Sequence, residues 1–101
     1  MDKMNLFIDL LRDVLECANN ELTEIQNGHS SLWEKGLIED VVIPEMSELL
    51  EHALEGEIHF KYGEKQRLFL STYFMTDTLV NLNDTCLGKK ITALQKLYTS
   101  L

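Results

Sequence analysis

The side chains that could do acid–base or metal chemistry in this 101-residue chain are three histidines, two cysteines and seventeen carboxylates. Their spacing decides what they can do. His52 follows Glu48 by four residues, an interval that on a helix suits an ion pair or half of a metal site. His59 follows Glu55 at the same interval, but Gly56 interrupts it, and His29 stands in a turn after Gly28. A helical di-iron centre needs Glu-x-x-His on two helices, and no glutamate here precedes a histidine by three residues. Cys17 and Cys86 sit in apolar stretches without a neighbour at zinc or thiol-exchange spacing, so both read as reduced core residues. The expectation is no metal and no cofactor.

Catalytic signatures are missing too. There is no Gly-x-Ser-x-Gly elbow, and the glycines stand alone at 28, 36, 56, 63 and 88, so none builds a phosphate-cradling loop. An enzyme is not expected. What remains is charge. The net charge is −8, unevenly placed: from Met1 to Glu57 fourteen acidic residues face Lys3, Arg12 and Lys35, whereas from Ile58 to Leu101 three acidic residues face six basic ones. Such a field disfavours nucleic acid and anionic membrane surfaces. It favours a basic protein partner, since complementary charge speeds encounter and rejects like-charged surfaces. The other reading is that the two halves neutralise each other across the fold.

The elements that position these groups follow from apolar periodicity. Met4, Phe7, Leu11, Val14, Ala18, Leu22 and Ile25 recur every three or four residues, which predicts a helix over 3–27 ended by Gly28. Ser31-Leu32-Trp33-Glu34 has the form of a reciprocal capping box, predicting a second helix that kinks near Pro44, or two collinear ones, ending at Gly56. Its apolar line runs Ile38, Val42, Met46, Leu49, Ala53, and Glu45, Glu48, Glu51 and Glu55 mark a polar face. Residues 57–62 alternate and read as extended. Beyond Gly63 the reading is a helix over about 64–81 aligning Leu68, Thr72, Met75, Leu79 and Leu82, or else a hairpin in which Leu68 to Met75 pairs back, leaving 57–75 open between the two. Asn83-Asp84-Thr85 offers a turn and an N-cap for a last helix to about Thr99.

The fold class is therefore all-α, a small antiparallel bundle of about four helices in a single domain over 1–101, with one modest core. No apolar run approaches the roughly 20 residues that cross a bilayer, and the N-terminus lacks secretory-signal organisation. The expected location is cytoplasmic.

Size, an acidic lobe and an empty motif search favour a protein-interaction module. In size and charge the chain resembles the acidic helical immunity proteins of nuclease bacteriocins and contact-dependent inhibition systems, with no shared motif. The resemblance implies an antidote that covers the basic groove of a nuclease toxin. The expected docking residues are Glu39, Asp40, Glu45, Glu48, Glu51 and Glu55, with Trp33 as an aromatic anchor. The alternative is a homo-oligomeric helical regulator or adaptor, such as a homodimer, whose subunits meet through the first and last helices.

Overall fold

A computed structural model describes residues 3–56, 68–78 and 81–100. The architecture is an all-α bundle, with no strand among the described residues. Helix α1 spans Lys3–Gln26, a short α2 spans Lys35–Leu37, and a π-helical turn over Ile38–Val42 leads into α3, Ile43–Leu54. Helix α4 covers Leu70–Thr76, and a 3-10 turn at Leu82–Asp84 precedes α5, Cys86–Thr99.

The stripe read from sequence is the face α1 buries: Phe7, Leu11, Val14 and Ala18 are all solvent-inaccessible. Its end is a Schellman cap. Gly28 takes φ +86°, its N–H bonds the Ile25 carbonyl at 3.0 Å, and the His29 N–H bonds the Glu24 carbonyl at 2.9 Å.

Helix α1 packs chiefly against α5 and α3. With α5 it runs antiparallel. Lys3 Nζ bonds the Ser100 carbonyl at 3.4 Å, Lys90 faces Asp13 at 3.6 Å, and the Cys17 and Cys86 sulfurs lie 4.0 Å apart. Each step along α1 is thus matched by an equal step back along α5. Leu87, Ile91, Leu94 and Tyr98 face the core from α5, and the Tyr98 ring lies between Phe7 and Phe69 with centroids 5.9 and 4.9 Å away.

The kink expected at Pro44 takes the form of the π turn. Proline donates no hydrogen bond, and in an ideal α-helix its ring would crowd the carbonyl four residues back, that of Asp40. The wider turn just before it, closed by the Ile43 N–H on the Ile38 carbonyl, answers that demand and leaves Pro44 in the first turn of α3. It also answers a second one. Four residues overshoot a full α-helical turn by about 40°, so Ile38, Val42 and Met46 would drift around an ordinary helix. All three are fully buried here.

Three sequence expectations are corrected. The Ser31–Glu34 capping box does not form: α2 starts at Lys35 without a side-chain cap, while Ser31 Oγ accepts from the Trp33 N–H at 3.0 Å and donates to Glu21. Glu21 on α1 wins the hydroxyl that a local cap would have used. Residues 70–76 are helical, so no hairpin strand runs through Met75, and the helix is shorter than the 64–81 expected. Just ahead of it Phe69, the N-cap, is buried and Leu68 is 62% exposed, one position off the anticipated stripe. The extended reading of 57–62, and the helix reading over 64–67 and 79–80, lie outside the described residues.

Candidate functional site

Seven residues were expected to make up the docking face, and the fold distributes them among different tasks. Trp33 is the clearest correction. It is 3% exposed, and its indole Nε1 donates to Thr85 Oγ1 at 3.0 Å. A side chain committed to the core and satisfied at its one polar atom is not an exposed anchor.

Glu45 is likewise engaged inside the molecule. Its carboxylate accepts from the Leu70 N–H at 2.7 Å, the Ser71 N–H at 2.9 Å and the Ser71 hydroxyl at 2.8 Å. These are orphan donors of the first turn of α4, where a negative charge is also favoured by the helix dipole. Gln95 of α5 completes the cap by accepting from the Phe69 N–H at 2.8 Å and the Thr72 hydroxyl at 3.0 Å. A helix of only seven residues is held in place by side chains from α3 and α5.

The other five carboxylates are solvent-exposed. Glu39 pairs with Lys35 at 3.7 Å, an exposed pair one helical turn apart that contributes little. Glu48, Glu51 and Glu55 lie opposite the buried line of Met46, Leu49 and Ala53, and no lysine or arginine among the described residues pairs with them or with Asp40. Between the two halves of the chain, the ion pair seen among described residues is Asp13–Lys90, on α1 and α5 and away from these groups.

Beside this ridge the structure brings together a surface that the sequence did not announce. Helix α4 turns Leu70, Tyr73 and Phe74, at one-turn spacing, toward solvent; they are 56, 55 and 39% exposed, and the two rings meet edge to face at 5.7 Å. Phe74 also borders a groove of about 660 Å³ with Leu32, Leu37, Val41 and Leu82. Gly36 and Thr78 share its lining with Glu34, Asp40 and Asp77, three exposed carboxylates. It is an apolar trough with carboxylates and no basic side chain among its described lining residues.

The histidines do not gather. His29 pairs with Glu24 at the end of α1, His52 is half-buried on α3, and His59 lies outside the described residues. No group of three or more potential metal ligands converges among the described residues. The two cysteines, by contrast, do meet, which their sequence separation gave no reason to expect. Both are free thiols, and burial together with the Cys86 sulfur pushes Cys17 up from its ordinary 9.0 to about 11. A thiol held protonated is a poor nucleophile.

No helix among the described residues is long and apolar enough to cross a membrane. No protein-family model, no curated protein and no solved structure matches the chain.

Proposed function

We propose that this chain is a protein-interaction module that covers a basic partner with the outer surface of α3, and that its concrete role is that of an antidote to a cationic, nuclease-type toxin. The observation that carries the reading is the row Glu48, Glu51 and Glu55: exposed, on the side of α3 away from the core, and paired with no lysine or arginine among the described residues. Like charges one turn apart on a helix repel by a few tenths of a kcal/mol per pair, about 0.2–0.5. A cationic surface would relieve that repulsion. Nuclease toxins hold phosphates with lysine and arginine, and carboxylates can take the place of those phosphates and accelerate association. Glu39 and Asp40 extend the acidic surface toward α2, whereas Glu45 and Trp33, serving the interior, are withdrawn from it.

The test is capture from the source cell by the native chain and by a Glu48→Lys/Glu51→Lys variant. The expected result is a protein of high isoelectric point that degrades nucleic acid, is silenced by one equivalent of the native chain, and is lost from the variant while the variant keeps its helical circular dichroism. Undiminished capture by the charge-reversed variant, or a partner without net positive charge, overturns the reading.

A further inference from the structure

We infer that the groove between α2, the π turn and α4 is a second recognition site, built for a cationic amphipathic segment of a partner protein that buries apolar side chains between lysines or arginines. The inference builds on the basic-partner reading, adding where and by what chemistry a partner segment would seat.

Two features of the groove point to this occupant. Its apolar share is large: Leu32 is 58% exposed and Phe74 39%, above the half-buried Leu37 and Val41 and the buried Leu82. At about 660 Å³ it falls within the range of pockets that enclose several side chains or a small ligand. Its polar share has one sign. Glu34, Asp40 and Asp77 are the charged groups among its described lining residues, and Lys35, the basic residue between Glu34 and Gly36, is directed to Glu39 instead. Three carboxylates around an apolar trough repel an anionic ligand, nucleic acid, and a second copy of this chain with its net charge of −8. An uncharged apolar ligand would leave them unanswered. A segment with apolar side chains on one face and cations flanking them satisfies both parts, in the manner of a helix laid in a groove. The exposed Leu70 and Tyr73 continue the apolar surface along α4 beyond Phe74, giving such a segment room to extend.

The experiment compares three synthetic probes on the intact protein by fluorescence anisotropy: an amphipathic leucine–lysine peptide, the leucine–glutamate peptide of identical pattern, and oligolysine of equal charge. The protein is used as wild type, Phe74→Ala, Asp40→Asn/Asp77→Asn and Glu48→Lys/Glu51→Lys, each first checked by thermal unfolding. The leucine–lysine peptide is expected to bind best, and Phe74→Ala and Asp40→Asn/Asp77→Asn are each expected to weaken it about tenfold, as loss of an interface hot spot does. The α3 reversal should change that binding by less than about threefold, since rim charges chiefly alter the association rate. Oligolysine binding as tightly as the leucine–lysine peptide, or peptide binding indifferent to both groove variants, overturns the groove. If that indifferent binding is abolished by the α3 reversal, the acidic ridge stands without the groove. If no cationic probe binds at all, both proposals lose their support.

Discussion

The Trp33 indole and the Thr85 hydroxyl, 52 residues apart in sequence, are joined by a 3.0 Å hydrogen bond. Thr85 also caps α5 by accepting from the Gly88 N–H at 3.0 Å, and it donates its own proton to the Leu82 carbonyl at 2.6 Å. A hydroxyl has one proton to give and two lone pairs to offer, and all three are used. One atom therefore ties the loop after α1, the 3-10 turn and the start of α5.

Thr85→Ala should lower stability by about 2–3 kcal/mol, the sum of a lost N-cap and an unsatisfied indole. Thr85→Ser, which keeps the hydroxyl, should stay within about 1 kcal/mol of wild type. Urea unfolding followed through Trp33, the one tryptophan of the chain, reads both. Equal losses for the two variants would mean that the methyl group, not the hydroxyl, holds the joint.

Gly88 and Gly36 should respond in opposite directions to alanine. A Cβ on Gly88 would stand 1.9 Å from the Leu82 carbonyl oxygen and 2.8 Å from its carbon, so the 3-10 turn would have to move, at a cost of about 3 kcal/mol. At Gly36 the nearest such neighbour is Asp40 Oδ2 at 3.9 Å, and alanine should stabilise by up to about 1 kcal/mol through helix propensity. Thermal unfolding of the two variants checks the contrast.

Glu45→Ala should strip α4 of its cap. Two backbone donors and a hydroxyl lose their acceptor, which predicts a loss of about 1–2 kcal/mol. Hydrogen exchange localises the effect: the amides of α4 should exchange faster while those of α1 keep their protection. Uniform acceleration over the whole chain would contradict a capping role.

The cysteines supply a pH test. Because folding raises the Cys17 pKa from 9.0 to about 11, the protonated thiol is favoured in the native state. Its contribution is complete below pH 9 and declines as pH rises toward about 11, since only the unfolded chain releases the proton readily in that window. Cys17→Ala should flatten the alkaline limb of the stability profile. In the wild type near pH 8, iodoacetamide should modify exposed Cys86 before Cys17. Treatment with diamide, which takes up two electrons and two protons, should join the pair within one chain, given sulfurs 4.0 Å apart. Purely intermolecular products would contradict the antiparallel register of α1 and α5.

Helices α1 and α5 were legible because their apolar intervals persist over several turns and their ends carry local signals, Gly28 in one and Thr85 in the other. The misreadings share a cause. Ser31, Trp33 and Glu45 each have a sound local or surface role by sequence, and each is claimed by a distant partner: Glu21, Thr85 and the first turn of α4. Helix α4 is too short for periodicity to set its phase, so Phe69 and Leu68 exchanged places. The groove had no linear trace, since its lining comes from three stretches between Leu32 and Leu82. The spacing of Leu70, Tyr73 and Phe74 was the available hint, and it points away from the stripe that includes Met75.

The π turn at Ile38–Val42 holds one residue more than an α-helical turn needs. It is consequently a place where the chain can be shortened. Excising Asp40, with Pro44→Ala to suit the straightened segment, would let the ladder close as ordinary α-helix while Met46, Leu49 and Ala53 keep their orientation toward the interior. Excising Ser47 instead would swing Leu49 and Ala53 by about 100° and dismantle the core. Tolerance to deletion should be sharply local, confined to the stretch that also contributes a carboxylate to the groove.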